Sequence, residues 1–239
     1  MSVALFIRHG KASAFASTTD YDQLSPPGVE QSERLGEWLA EQRLQVSAVF
    51  LGPRKRHAQT HEAAMRVLAA REIDLPEPTV LPELDEHNAL SLVFKLLPAL
   101  AAEDEAVRSI VESAARGEPP SPDDVLAVFK RVARRWVRGE INHDEIESWA
   151  TFRERVALAM TRIAALGRGK TALVFTSAGP VASAVAQALG LRDDEKVMEL
   201  SWSLYNGSIT ELDFAGDRWG VRTFNATPHL RDRRLVTSV

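Results

Sequence analysis

Short apolar runs separated by amphipathic stretches are the main pattern of this chain. The first run, Val3 to Ile7, has five consecutive apolar residues and is followed by a glycine at position 10. Runs of this length indicate strands that are buried on both faces, and similar strands are predicted at 46–51 and 171–176. Apolar residues at helical spacing predict a helix after the first strand, with Ser25 as its N-cap.

The alternation of strands and helices continues along the chain. The remaining predicted elements are helices at 54–71, 149–163 and 180–189, and strands at 79–81, 208–214 and 219–224. Because Gly216 and Asp217 lie between the last two strands, these strands are predicted as an antiparallel hairpin. Strand–helix alternation favours a parallel sheet with helices on both faces. We therefore predict an α/β fold, a three-layer α/β/α sandwich whose mostly parallel central sheet has an antiparallel edge.

Residues 88–146 interrupt this alternation. Apolar spacing marks one helix around Leu96 and another around Phe129, with a break at 117–122 between them. Because no strand pattern occurs there, we predict a helical insertion, or cap, within a single domain that spans 1–239. The insertion starts just after an acidic cluster, so we expect it to lie over the strand ends and to shape a substrate pocket. The alternative is that its helices pack on the outside of the sheet.

The composition excludes several classes of protein. Of the 239 residues, 45% are hydrophobic and 26% are charged, and the formal net charge is −4. This balance indicates no nucleic-acid surface, so an anion site must come from locally clustered arginines. No apolar run approaches the roughly 20 residues that a transmembrane helix needs. Because the chain has no cysteine, disulfides and thiolate metal sites are excluded. The absence of an export signal favours the cytoplasm.

The tripeptide Arg8-His9-Gly10 carries the strongest chemical signal. It closes the first predicted strand, and open α/β sheets bind ligands at the carboxyl ends of their strands. An imidazole can attack phosphorus, a guanidinium can hold two phosphate oxygens, and a glycine lets the backbone approach an anion. The tripeptide therefore predicts a phosphate site with His9 as the nucleophile. Lys11, two residues beyond His9, is a further candidate for contact with the phosphate.

Several other segments carry motifs that can be compared with known families. They are Tyr21 to Gly28, Gly52 to Thr60, Leu81-Pro82-Glu83, 206–209 and 225–230. Together with Arg8-His9-Gly10, they resemble the histidine phosphatase superfamily, also called the phosphoglycerate mutase-like family, over nearly the whole chain. The resemblance implies a phosphatase that works through a phosphohistidine at His9.

The resemblance also implies the partners of His9. The second phosphate-binding arginine falls on Arg56, with Arg54 as the alternative, at the start of a helix whose N-terminus favours an anion. The general acid falls on Glu83, and Asp85 in the same acidic cluster is the alternative. Two arginines can stabilise a phosphoryl group without a metal. The carboxylates and histidines also lack metal-ligand spacing, so neither a metal nor a cofactor is expected.

Ser177 departs from the family pattern. Members carry Ser-His-Gly-Gly after the fourth core strand, and the second histidine flanks the transferred phosphate. Counting back from Gly190, which ends the following helix, that histidine position falls on Ser177. A serine hydroxyl can still donate one hydrogen bond to a phosphoryl oxygen, but it has no titratable nitrogen. His57, His87 and His229 are possible replacements, and His87 is favoured because it follows the acidic cluster.

These features predict a metal-independent phosphoric monoester hydrolase that acts on a small phosphorylated molecule or a phosphoprotein. No nucleic-acid or membrane partner is predicted. The predicted site has two catalytic residues and five phosphate-contacting residues, namely His9 and Glu83, and Arg8, Gly10, Lys11, Arg56 and Ser177. Because Ser177 lacks an imidazole, a weak or inactive phosphoryl-binding protein is an alternative. A phosphomutase is a further and weaker alternative.

Overall fold

The computed structural model of the protein describes residues 1–13, 22–118 and 121–238, so Tyr21 and the middle of the predicted break, 119–120, lie outside the described residues. The described residues form six strands and eight α-helices. The strands are β1 (Ser2–Arg8), β2 (Ala48–Leu51), β3 (Pro78–Val80), β4 (Thr171–Thr176), β5 (Ile209–Ala215) and β6 (Arg218–Ala226). The helices are α1 (Pro26–Gln42), α2 (Lys55–Ala69), α3 (Ala89–Glu103), α4 (Glu105–Ala115), α5 (Pro122–Val137), α6 (Trp149–Ala164), α7 (Ala178–Leu189) and α8 (Asp194–Ser203).

The six strands form one mixed sheet in the order β3-β2-β4-β1-β5-β6. The first four strands in this order are parallel to one another. Strands β5 and β6 are antiparallel and form the edge beyond β1. This arrangement confirms the predicted α/β fold with its antiparallel edge. It also brings the carboxyl ends of β2, β4 and β1 together, because these three strands are neighbours in the sheet.

The two faces of β1 show how the sheet is covered. Phe6 lies in a buried cluster together with residues of α6 and α7, such as Phe152 and Val181. Leu5 lies in a separate cluster with residues of α1 and α2, such as Leu35. Successive side chains of a strand point to opposite faces of its sheet. Helices therefore cover both faces, as the three-layer prediction requires.

The segment predicted as an insertion holds three helices, α3 to α5, instead of two. The side chain of Asp104 starts the additional helix, because it accepts a hydrogen bond from the backbone N–H of Ala106 at 2.9 Å. These helices share a small core of their own, which includes Val93, Val107 and Val132. Helix α5 also packs against α6 and α8. Whether the segment acts as a lid over the strand ends stays a prediction.

Helix α8 is a second helix that the sequence pattern missed. It begins after Asp193, whose side chain accepts a hydrogen bond from the backbone N–H of Lys196 at 3.1 Å. It buries only a short apolar surface that includes Val197 and Met198, which explains the weak signal. Leu204 follows its last residue. No helix among the described ranges is long and apolar enough to cross a membrane.

Candidate active site

A group of polar side chains is buried where β1, β2 and β4 end. Arg8 is 3% exposed and His9 6%, Arg56 in the first turn of α2 is 4%, and Ser177 after β4 is 0%. His57, next to Arg56, is also fully buried. Charged and polar side chains are seldom buried this deeply unless they serve a site or are fully paired. We call these five residues the strand-end cluster.

The ring of His9 is held in one tautomer. Its Nδ1 lies 2.7 Å from the carbonyl oxygen of Gly10. Because a carbonyl oxygen only accepts hydrogen bonds, Nδ1 carries the hydrogen and Nε2 keeps its lone pair. Burial lowers the pKa of His9 well below its usual value, and the nearby charges of Arg56 and Arg8 lower it further. The ring is therefore neutral near pH 7.

The two arginines of the cluster are fixed by partners from distant parts of the chain. Nη1 of Arg8 donates a hydrogen bond to the carbonyl oxygen of Leu204, directly after α8. Nη1 of Arg56 pairs with Asp22 at 3.3 Å, and its Nη2 donates to Ser177 Oγ at 3.3 Å. These contacts orient both guanidinium groups beside His9, where each can bind an anion.

Of the three candidate histidines, His57 is the one that contacts Ser177. His87, which the sequence analysis favoured, packs elsewhere. Nε2 of His57 lies 2.7 Å from Ser177 Oγ, and the centres of the His57 and His9 rings are 5.8 Å apart. The ring of His87 instead packs against the aromatic rings of Trp136, Trp149 and Phe152. His229 is buried beside Gly207. Burial and the charge of Arg56 lower the pKa of His57 to about 3, so its ring is neutral near pH 7.

Glu86 takes over the capping role that Ser177 usually would have. Ser177 is the N-cap residue of α7, but its hydroxyl makes no capping hydrogen bond. Instead, Oε2 of Glu86 accepts from the backbone N–H of Gly179 at 3.3 Å. A Cβ atom at position 179 would lie 2.2 Å from Oε1 of Glu86, so this contact requires glycine. The Ser177 hydroxyl is therefore turned towards Arg56 and His57.

Glu86 is charged although it is buried. Burial alone would raise the pKa of this carboxyl group, but the charges of His87 and Arg56 and two backbone hydrogen bonds hold it below its usual value. A helix N-terminus also favours a negative charge. The carboxylate therefore balances part of the positive charge of the strand-end cluster.

The two carboxylates predicted as general acids point elsewhere. Oε1 of Glu83 lies 3.0 Å from Nη2 of Arg162 on α6. Asp85 forms an ion pair with Nε of Arg54. Nη2 of the same arginine donates a hydrogen bond to Oδ1 of Asn88 at 3.3 Å. The structure therefore does not bring Glu83 into the strand-end cluster. It also leaves Arg54 with the acidic segment, so Arg56 is the arginine that reaches Ser177.

Gly10 and Lys11 differ from the other predicted phosphate contacts. A Cβ atom at Gly10 would lie 2.4 Å from the carbonyl oxygen of Gly28, so glycine is needed here for the close approach of α1. The backbone N–H of Gly10 donates to Thr60 Oγ1 at 3.0 Å, and that of Lys11 donates to Gln31 Oε1 at 2.7 Å. The Lys11 side chain is exposed. Neither residue joins the cluster through these contacts.

Three residues with clear roles in the site were missing from the predicted set, namely Asp22, Thr60 and Glu86. Asp22 pairs with Arg56 and also accepts from the backbone N–H of Lys55 at 2.9 Å, which fixes the start of α2. All three lie inside or beside the motif segments, but no rule of spacing pointed to them. In the described part of the chain, no group of three or more His, Asp or Glu residues is arranged to hold a metal ion.

Comparisons with known proteins identify the family and the fold. A profile of the histidine phosphatase superfamily (branch 1) matches residues 4–138 and 118–227. The phosphohistidine phosphatase SixA of Escherichia coli (strain K12) is 32% identical over 106 residues, which cover 44% of this chain and 62% of SixA. This match therefore spans less than two thirds of the length of SixA.

Two solved structures show the same fold at low sequence identity. YhfR of Bacillus stearothermophilus superposes with a TM-score of 0.65 at 17% identity, covering 97% of this chain and 100% of YhfR. A phosphoserine phosphatase mutant of Entamoeba histolytica superposes with a TM-score of 0.59 at 16% identity, covering 96% of this chain and 100% of that one.

Proposed function

This chain belongs to the histidine phosphatase superfamily, and we propose that it is a metal-independent phosphatase that hydrolyses a phosphomonoester through a phosphohistidine at His9. The observation that carries the proposal is the 2.7 Å hydrogen bond between Nδ1 of His9 and the Gly10 carbonyl oxygen. It leaves Nε2 as a free nucleophile in a neutral ring beside two buried arginines. A surface histidine would have neither the fixed tautomer nor these neighbours.

The proposed reaction has two steps. In the first, Nε2 of His9 forms a bond to phosphorus while the ester P–O bond breaks, and the alcohol oxygen leaves with the bonding electrons and takes up a proton. In the second, water attacks phosphorus, the P–N bond breaks, and inorganic phosphate forms while the water loses a proton. Arg8 and Arg56 bind the phosphoryl oxygens in both steps and stabilise the charge that develops on them.

Glu83 is the residue that we propose as the proton donor, with Asp85 as the alternative. In the structure Glu83 is paired with Arg162, whose side chain is 51% exposed. Glu83 must therefore leave this ion pair before it can donate a proton to a leaving group.

The substrate class that we propose is a small phosphorylated molecule or a phosphoprotein. The names of the compared proteins support this breadth, since one is a phosphohistidine phosphatase and another a phosphoserine phosphatase. Phosphoserine and a phosphohistidine-containing peptide are therefore the first two substrates to compare. Both present a phosphoryl group with two negative charges to the arginines, but their leaving atoms are oxygen and nitrogen.

The proposal is tested with p-nitrophenyl phosphate in the presence of a chelator, comparing the parent protein with His9→Ala. We expect the variant to lose at least about 10³-fold in kcat, because it lacks the nucleophile. Rapid denaturation during turnover, followed by mass spectrometry, should find phosphate on the peptide that contains His9. Equal turnover of both proteins would reject the proposal. A parent that binds phosphate but has no turnover would favour the phosphoryl-binding alternative.

A further inference from the structure

The proposed reaction leaves one buried imidazole of the strand-end cluster without a role. His57 is fully buried, its Nε2 lies 2.7 Å from Ser177 Oγ, and its ring centre lies 5.8 Å from that of His9. We propose that His57 is a positioning residue, which holds the Ser177 hydroxyl and, through it, the guanidinium group of Arg56 beside the phosphoryl group. This inference rests on the proposed function, because it assigns a further role within the same site.

The Ser177 hydroxyl is available for this role because another residue caps its helix. A serine at an N-cap normally turns its oxygen towards the first backbone N–H groups of its own helix. Here Oε2 of Glu86 accepts the hydrogen bond from Gly179, and the serine makes no capping bond. Its oxygen instead contacts Nη2 of Arg56 at 3.3 Å and Nε2 of His57 at 2.7 Å.

Ser177 Oγ joins His57 to Arg56. Arg56 can only donate, so its Nη2 donates to Ser177 Oγ. Nε2 of His57 contacts the same oxygen, and the other nitrogen of the ring, Nδ1, faces Gly52. A hydrogen bond with the Gly52 backbone partly offsets the lowering of the His57 pKa. The ring is therefore held between Gly52 and Ser177, and the Ser177 hydroxyl is held between the ring and Arg56.

The space for the His57 ring depends on Gly52, at the end of β2. A Cβ atom at position 52 would lie 2.4 Å from Nδ1 of His57 and 2.6 Å from the carbonyl oxygen of Leu84. A side chain there would displace the ring or the Leu84 backbone. The absence of a side chain at position 52 thus lets the ring lie close to the end of β2, with Nε2 in contact with Ser177.

The test compares two substitutions at position 57 with one at position 177. His57→Leu removes the polar contact with Ser177, whereas His57→Gln keeps a hydrogen-bonding group near the position of Nε2. We expect His57→Leu and Ser177→Ala each to lower kcat by on the order of 10- to 100-fold, because Arg56 is then no longer held beside the developing oxyanion. His57→Gln should lose less than about tenfold. Because both residues act through one hydrogen bond, the His57→Leu/Ser177→Ala double variant should be no slower than the slower single variant.

Two further measurements separate positioning from folding. Vanadate mimics the five-coordinate transition state, so His57→Leu and Ser177→Ala should weaken its inhibition more than that of inorganic phosphate. His61→Leu is a matched control, since His61 lies one turn further along α2, where its ring packs edge-on against Phe175. It should leave kcat within about twofold of the parent.

The inference is overturned if His57→Leu retains the kcat of the parent, if His57→Gln is as slow as His57→Leu, or if the effects of His57→Leu and Ser177→Ala multiply. If His57→Leu does not fold, His57→Asn, whose shorter side chain does not reach Ser177, takes its place in the cycle. Each of these failures leaves the proposed function intact as long as His9→Ala is inactive. Turnover by His9→Ala would instead reject the proposed function itself.

Discussion

The strand-end cluster and the acidic segment, residues 83–87, differ in how their side chains are directed. In the cluster, His9 is oriented by the neighbouring Gly10 carbonyl, and His57 and Ser177 face each other at 2.7 Å. In the acidic segment, the carboxylates are directed at groups outside the strand-end cluster. Glu83 pairs with Arg162 on α6, and Glu86 caps α7.

The strand-end cluster is therefore the preorganised part of the site, whereas the acidic segment must rearrange. The cluster is buried and its hydrogen bonds are in place, so its groups can stabilise a phosphoryl group without moving. Glu83, in contrast, must leave an ion pair before it can donate a proton to a leaving group. Binding of phosphate and protonation of the leaving group are therefore expected to respond differently to substitution.

The largest effect is expected from substitution of the arginines. It tests whether the strand-end cluster or the acidic segment binds the phosphoryl group. Arg56→Ala should lower kcat/KM by about 10²–10³-fold, because it removes a buried cation next to the transferred group. Arg54→Ala should lose less than about tenfold, since Arg54 is held by Asp85 and Asn88. Steady-state assays with p-nitrophenyl phosphate measure both values. Equal losses would mean that the acidic segment also binds the phosphoryl group.

A smaller effect tests the proton donor. Glu83→Gln should lower kcat for phosphoserine by about 10²-fold, the usual contribution of a general acid. With p-nitrophenyl phosphate, whose leaving group needs no proton, the loss should stay below about tenfold. Asp85→Asn is the matched control and should show no such dependence on the leaving group. If Asp85→Asn shows it and Glu83→Gln does not, the alternative acid is the correct one.

The smallest effect concerns stability and pH. The pKa of His57 is about 3 in the folded protein but near 6.5 when unfolded. The unfolded state thus binds more protons below pH 6.5, and stability falls as the pH decreases through this window. At pH 5 this amounts to about 2 kcal/mol for His57. The lowered pKa of Glu86 acts in a different window, because its contribution is present above about pH 4.5 and is lost below it.

Urea unfolding at pH 7 and pH 5 measures this difference. His57→Gln should lose less unfolding free energy between the two pH values than the parent, because a buried group that takes up protons on unfolding has been removed. Glu86→Gln should be less stable than the parent at both pH values. Its unfolding free energy should nevertheless change between them by as much as that of the parent. If the unfolding free energy of Glu86→Gln changed as little between pH 7 and pH 5 as that of His57→Gln, the titrations of His57 and Glu86 would be coupled.

Most of the fold was predictable from local patterns. The buried runs at β1 and β4 and the cap at Ser25 carry strong signals, and the structure shows these elements close to the predicted bounds. Helix α8 was not predictable in the same way, since its polar first turn hides a short apolar surface. The third helix of the insertion was missed because its capping residue, Asp104, lies within a continuous helical pattern.

The site was predictable where neighbours in sequence orient each other, and less so elsewhere. Arg8, His9 and Arg56 follow from motifs at strand ends, and the structure brings them together with Ser177. The direction of Glu83 depends on Arg162, which is far away in the chain and carries no local signal. The contact between His57 and Ser177 joins residues from two different strand ends. Only the order of the strands in the sheet makes them neighbours.

The hydrogen bond from Arg8 to the Leu204 carbonyl joins the beginning of the chain to its last quarter. During synthesis, Arg8 and His9 emerge first, but the carbonyl that orients Arg8 is made long after β1, β2 and β4. A chain that ends within α7 therefore has His9 without the contact that orients Arg8. The proposed activity should consequently require the chain at least as far as Leu204.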